Sequence, residues 1–271
     1  MEFKDALMKI RAVEMAMLQL MREGRMSDFA AIRVGQEKAA VYVSRAMRKG
    51  DAMVVHHAAY EWFLALGGSV RQVLEHALGK KGDLKTLSLK DYGFIGSTAI
   101  VGTPCGIAVG YAYAKKLRGE GGVVFCVIGD GATLEGAFYE SLNVASLLRL
   151  PVLFVVLHNG YVVHAKFHEY TRVSLVDLAS SFGALAVRVS EDELLDEAKR
   201  VRNAVEKMRM PAVLVIDCYR ITGHSGYGLD AGDGQRDVSE VLAAIQKDWC
   251  DDYDKLDEMV SEVLKLAEKI K

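Results

Sequence analysis

Two apolar runs in this chain end on residues that can hold an ion or a phosphate. Val123-Val124-Phe125-Cys126-Val127-Ile128 runs into Gly129-Asp130-Gly131, and Val152-Leu153-Phe154-Val155-Val156-Leu157 runs into His158-Asn159-Gly160-Tyr161. Asp130 offers a carboxylate, Asn159 an amide oxygen, and the backbone beside them its carbonyls. These are hard oxygen ligands of the kind magnesium prefers, and magnesium would complete its octahedron with water and phosphate oxygens. Gly129 and Gly131 let the backbone turn sharply and approach a ligand with no Cβ in the way. The tripeptide alone carries little. Gly232-Asp233-Gly234 repeats it with no strand before it and reads as a surface turn. The first copy is informative because a strand precedes it and a second strand, ending in Asn159, follows one helix later. His158, His164 and His168 match no compact zinc motif, so zinc is not expected there.

Side chains so far apart in sequence meet only if the elements bring them together. Uninterrupted apolar runs are expected of parallel strands buried on both faces. Glu135 to Leu150 reads as the intervening helix, and Pro151 marks the restart. Ala184 to Val189 and Ala212 to Ile216 read as further strands, with Ser190 and Glu193 as a capping box for a helix running to about Met208. Strands alternating with helices imply an α/β fold, a doubly wound parallel sheet with helices on both faces. Crossovers in such sheets are right-handed, and ligands lie outside the carboxyl ends of the strands. Asp130 and Asn159 are therefore expected in one crevice. Upstream, Met1 to about Glu23 reads as a helix stopped by Gly24, and Gln36 to Arg48 as one stopped by Gly50. A short helix is expected after Ser69, ended by Gly79. Asp91 to Gly102 reads as a loop rich in Gly and Ser, and Thr103 to Leu117 as a helix with small residues on one face. The tail from Val238 onward reads as helical. No repeat or Pro/Ser-rich linker interrupts the chain, which predicts one domain over residues 1–271.

Composition narrows the function classes. Hydrophobic residues make up 51% of the chain and charged residues 26%, enough for a sizeable core under a charged surface. A net charge of −2 gives no reason to expect nucleic acid or an anionic membrane as a partner. The first residues read as an amphipathic helix interrupted by charges, not as a signal peptide or a membrane span. Cys105, Cys126, Cys218 and Cys250 show no CxxC spacing and read as reduced thiols of a cytoplasmic protein.

The stretch from Gly129 to Tyr161 resembles the thiamine-diphosphate motif in the alpha subunit of 2-oxo acid dehydrogenases, the group of pyruvate, branched-chain and acetoin enzymes. Other segments follow in the same order. Val34-Gly35-Gln36-Glu37 is similar to the family's Gly-Gln-Glu, and Ser69-Val70-Arg71-Gln72-Val73-Leu74 to the helix after its cofactor loop. Ala99-Ile100-Val101-Gly102 is similar to its Gly-Ile-Val-Gly segment, and Tyr219-Arg220-Ile221-Thr222-Gly223-His224-Ser225 to its Tyr-Arg-x-x-Gly-His-Ser loop. The resemblance implies that Asp130 and Asn159 bind magnesium through their side chains and Tyr161 through its carbonyl. It implies that Gly129, Gly131 and Ala132 meet the diphosphate, that Val101 lines the aminopyrimidine pocket, and that His224 is catalytic at the thiazolium carbon. Thiamine diphosphate would then carry the decarboxylation of a 2-oxo acid, with the acyl unit passed to lipoamide on a partner acyltransferase. The family's activating Glu lies in a beta subunit, so a beta-type partner in an α2β2 assembly is implied.

Three departures bear on the substrate and on affinity. Ala58 stands where the family carries an Arg of its diphosphate loop; His56 and His57 fit either ordinary packing at a strand end or, for His57, a stand-in for that Arg. Ser88-Leu89 replaces a His-Met, and His158 stands where a first Asn is common. Two alternatives share the motif: the diphosphate-binding half of a split transketolase, and a non-catalytic subunit kept for assembly.

Overall fold

Val124–Gly129 and Val152–His158 are buried along almost their whole length, and this is why each is a central strand. In the computed structural model the described residues are 3–26, 32–57, 59–79, 89, 92–163, 165–222 and 249–270. They fall into two compact units, one of Met1–Val41, Ala58–Leu87 and Tyr219–Lys271, the other of Tyr42–His57 and Ser88–Cys218.

The second unit contains a six-stranded sheet. Its strands are β1 (Ala52–Val55), β2 (Phe94–Ser97), β3 (Val124–Gly129), β4 (Val152–His158), β7 (Leu185–Ser190) and β8 (Ala212–Asp217); β5 (Tyr161–Val162) and β6 (Ala165–Lys166) form a separate hairpin. The order across the sheet is β2-β1-β3-β4-β8-β7, and every neighbouring pair is parallel. One face buries Val124, Cys126 and Ile128 of β3 and Val152, Phe154 and Val156 of β4 with α5 (Thr103–Leu117), α6 (Gly136–Leu147) and α7 (Leu175–Ser181). The alternate residues Phe125, Val127, Leu153 and Val155 point to the opposite face by the period of two and are as fully buried. On the side of β8 and β7 the sheet also packs against α8 (Leu194–Met208). The doubly wound α/β expectation is met.

Four features differ from the sequence reading, each for a local reason. The loop expected over Asp91–Gly102 contains β2, hidden because Phe-Ile-Gly-Ser is short and its register on β1 shifts between Met53 and Val54. The β1 strand itself is four buried residues, too short to read by pattern. Ser190 and Glu193 make no capping box: Ser190 still pairs with Asp217 in the sheet, and the helix starts a turn later with Glu193 at its N-cap and no side-chain cap. The helix read over Glu135 to Leu150 ends at Leu147, before Arg149 takes a left-handed φ of +51°; Leu142 and Leu150 are core residues, whereas Val144 and Leu147 between them are exposed.

At the amino ends of the strands the sheet is tied by a buried ion pair. Arg202 donates from Nε and Nη2 to the two Asp51 oxygens (3.0 and 2.8 Å), and Asp51 also accepts from the backbone N–H of Val123 and of Arg48, each at 2.8 Å. Both side chains are almost wholly buried. Removing Asp51 leaves Arg202 only the half-exposed Glu206 as partner and orphans the Val123 and Arg48 N–H groups, so Asp51→Ala is expected to lower unfolding free energy by about 3–5 kcal/mol in urea titrations. A loss below about 1 kcal/mol would place the pair with exposed bridges, where values of that size are usual.

The first unit is helical in its described residues: α1 (Phe3–Arg22), α3 (Tyr60–Ala65), α4 (Val70–Ala77), α9 (Tyr253–Glu268) and the start of α2 (Glu37–Ala46). Ser69 caps α4 as expected, with its Oγ accepting from Gln72 N–H at 3.2 Å and the Gln72 side chain accepting in return. Residues 238–248 of the tail expected to be helical lie outside the described residues. No helix among the described residues is long and apolar enough to cross a membrane.

Candidate functional site

From β1 the chain steps to one side to make β2 and then returns to the other side to make β3. Adjacent strands whose connections run in opposite directions leave a crevice at their carboxyl ends, the usual ligand position of an open α/β sheet. His56 and His57 follow β1 there, and Asp130 follows β3. The His56 N–H still bonds to the Val127 carbonyl at 3.1 Å, so the backbone leaves the sheet just before His57, which is exposed.

Parallel pairing sets Gly129 opposite Leu157, and this places the two polar tails side by side. Asp130 is 1% exposed and opens a tight turn, Asp130–Leu134, closed by a 2.7 Å bond from Thr133 Oγ1 to the Asp130 carbonyl. Its Oδ2 accepts from the Gly160 N–H at 2.8 Å, and its Oδ1 lies 2.5 Å from His158 Nδ1. The Asn159 Oδ1 accepts from the Tyr161 N–H at 3.0 Å. Phe167 packs edge-on against the His158 ring at 5.3 Å, and its N–H donates to the Gly160 carbonyl at 2.8 Å. The result is one buried carboxylate fixed by His158 and the Gly160 N–H, with Asn159 and Tyr161 next to them in the chain.

Each carboxylate oxygen has two lone pairs, so the bonds from His158 and Gly160 leave Asp130 acceptor capacity for a cation. Asn159 Oδ1 and the Tyr161 carbonyl add neutral oxygens close by in sequence. A Cβ added to Gly129 would meet nothing within 4 Å, so the backbone faces open space. One added to Gly131 would sit 3.3 Å from Val162 Cγ1. This donor set fits a hard divalent ion bridged to phosphate. Among the described residues no three or more His, Cys, Asp or Glu gather as a metal cluster, and His164 lies outside the described residues.

Asp130, Asn159, Gly160 and Tyr161 are thus brought together, with Gly129, Gly131 and the buried Ala132 on the same turn. Val101 lies just before α5 and is 58% exposed beside Ile100 at 69%. Exposed apolar residues of this size suit contact with a ring or a partner. His224 and Ala58 lie outside the described residues. Two features were missed in the sequence. His158, set aside as a departure, bonds directly to Asp130; its place at the end of β4, next to Asn159, was the available signal. Arg188 of β7 donates from Nε to both Asp217 oxygens at 3.0 and 2.9 Å. That bond, and more weakly the charge of Asp130, raises its guanidinium above the ordinary Arg range. Only strand order brings this cation to the edge of the site.

The profile of the dehydrogenase E1 component family matches residues 4–254. The chain is 30% identical over 234 residues to the pyruvate dehydrogenase E1 component subunit alpha of Rickettsia bellii (strain RML369-C), covering 82% of this chain and 72% of that one. It is 34% identical over 249 residues to the mitochondrial type I subunit alpha of Ascaris suum, covering 87% and 61%. It is 29% identical over 230 residues to the alpha subunit of acetoin:2,6-dichlorophenolindophenol oxidoreductase of Bacillus subtilis (strain 168), covering 80% and 69%. A solved structure from Mycobacterium smegmatis, described as a thiamin diphosphate-dependent enzyme, superposes with a TM-score of 0.51 at 20% identity, over 68% of this chain and 31% of that one.

Proposed function

The chain belongs to the dehydrogenase E1 component family, whose members similar to it include alpha subunits of pyruvate and acetoin enzymes, and from that premise we propose that it is the diphosphate-binding subunit of a 2-oxo acid or acetoin dehydrogenase. The observation that supports this most is the buried Asp130 carboxylate beside Asn159 and Tyr161 at the carboxyl ends of β3 and β4. Magnesium would be held by Asp130, Asn159 and the Tyr161 carbonyl, and the diphosphate by the Gly129–Ala132 turn. When bound, thiamine diphosphate supplies the electron sink for decarboxylating a 2-oxo acid. The protein's own part is to fix the anionic end of the cofactor, to hold the Asp130 carboxyl away from bulk water, and to present Val101 to the ring end. His57 would add a cation-capable ring at the end of β1, in place of the Arg lost at Ala58.

His224 would meet the substrate. A group that acts on substrate and not on the cofactor's anchor lowers turnover more than cofactor affinity. His224→Ala is therefore expected to lose activity by about a hundredfold or more, within the range for positioned acid–base groups, with an unchanged cofactor titration. An active variant would remove His224 from the site. A chain that binds no thiamine diphosphate at all would instead be a non-catalytic assembly subunit, and turnover of sugar phosphates in a substrate panel would make it half of a split transketolase.

We also take residues 1–271 to work as one cofactor-binding domain, because the chain leaves and re-enters the two units several times. A single calorimetric transition is expected; two separated transitions would divide it. The four cysteines are free, which suits the reducing cytoplasm we assign to the protein, and cell fractionation tests that. An acyltransferase bearing lipoyl groups is the acceptor we expect, tested by acyl transfer to free lipoamide.

A further inference from the structure

The first unit buries a group of ionisable side chains that the site above does not use. Glu14 on α1, Glu37 on α2 and Glu61 on α3 are 1%, 0% and 1% exposed. Arg11 donates to the two Glu37 oxygens at 2.5 and 3.0 Å, and Arg33 Nε lies 3.5 Å from a Glu61 oxygen. The carboxylates also hold backbone. The Arg33 N–H donates to Glu14 Oε2 at 3.2 Å, and the Gly35 N–H donates to Glu37 Oε2 at 3.0 Å.

The segment fixed in this way carries another. The Ile221 N–H donates to the Val34 carbonyl at 2.7 Å, and Thr222 Oγ1 donates to the Ile32 carbonyl at 3.0 Å. The approach is close: Gly35 has φ +103°, and a Cβ there would lie 2.4 Å from the Tyr219 carbonyl oxygen. Glycine is required on both counts, conformation and space.

We infer that Glu14 and Glu37 are positioning residues, which fix the Ile32–Gly35 segment from α1 and α2 and through it the Tyr219–Thr222 strap that precedes His224 in the chain. Its bearing on turnover rests on the function proposed above; its bearing on the strap does not. Burying these carboxyls disfavours their charged forms, and burial raises Glu61 as well as Glu14. Burial, then the charges of Glu61 and Glu37, push the Glu14 carboxyl well above the usual carboxylate range, against the opposing pull of Arg33 and Arg11. Neutral Glu14 can still accept the Arg33 N–H on Oε2. Because its folded value is raised, its support for the segment is full at low pH and is lost as pH rises through that raised value.

Amide exchange in the full chain tests this, with Ile221 as the reporter and Val155 of β4 as the reference. Glu37→Ala and Glu14→Ala should each speed Ile221 exchange by about tenfold or more and leave Val155 unchanged, since exchange reports local opening. Glu14→Gln keeps an acceptor and mimics the neutral acid, so it should retain slow exchange. If the alanine variants fail to fold, the unmodified chain still decides. Its Ile221 protection, corrected for base catalysis, should fall as pH rises from the ordinary carboxylate range towards the raised value of Glu14, and Glu14→Gln should abolish that fall. Equal Ile221 exchange in folded alanine variants and the unmodified chain, or a pH dependence that Glu14→Gln retains, overturns the inference. With a partner subunit present, Glu14→Ala should lower kcat and leave cofactor Kd unchanged. Absent 2-oxo acid turnover in the unmodified holoenzyme would sink the proposed function and leave the exchange result standing.

Discussion

Asp130→Ala is expected to abolish magnesium-dependent binding of thiamine diphosphate while leaving the chain folded. The variant removes the carboxylate of the proposed ligand set, and a hard cation bridging to diphosphate has only neutral oxygens left to hold it there. A loss of about a hundredfold or more in Kd corresponds to roughly 3 kcal/mol, and calorimetric titration with and without magnesium would read it. The fold should survive because Asp130 sits past the end of β3, outside the ladder. Its removal frees the Gly160 N–H and His158, a cost of roughly 1–3 kcal/mol for a buried unsatisfied group. Asp130→Asn separates the two roles. An amide oxygen can still accept from Gly160, so the loop should keep its shape while magnesium affinity falls almost as far. Changing Asp233, in the second Gly-Asp-Gly, should do nothing. Undiminished binding by Asp130→Ala would sink the assignment of the metal site.

The second large effect concerns partners. Purified alone, this chain is expected to show almost no turnover even when saturated with cofactor. The residues proposed for the site anchor the diphosphate, and none of them is an acid assigned to the ring end, which the resemblance places on a beta-type subunit. The second unit also presents apolar surface. On α5, Ile107 and Tyr113 are exposed and Leu117 is 70% exposed, beside Gly106 and Gly110, where a Cβ would meet nothing within 4 Å. On α6, Val144 is exposed and Leu147 is 75% exposed. Apolar faces with small residues permit close backbone approach and mark contact surfaces. We expect a beta-type subunit to co-purify in an α2β2 assembly, to be sized by light scattering, and to restore turnover of a 2-oxo acid by several orders of magnitude. Closed symmetry of that kind is usual for soluble oligomers. Full activity from this chain free of any other protein would overturn the two-subunit reading.

Much of this protein was legible in its sequence, and the reason is periodicity and local chemistry. The runs ending at Ile128 and Leu157 are apolar without a break because parallel central strands are covered on both faces, so their direction and the polar residues at their ends could be read directly. The helix after Ser69, and the helix at Thr103–Leu117, depend on neighbours a few residues away, and both were found where expected. Asp130 and Asn159 could be assigned to one crevice because a right-handed crossover leaves little choice. The tertiary structure decided what depends on residues far apart in the chain. Strand β2 is recognisable only by its pairing with β1, and Ser190 could not cap a helix because Asp217 holds it in the sheet. Whether His158 was a departure or a part of the site depended on its distance to Asp130. The pairing of Asp51 with Arg202, and of Glu37 with Arg11, joins charges whose patterns look like ordinary surface residues. A buried charge carries no local signature; only its partner across the fold makes its burial tolerable.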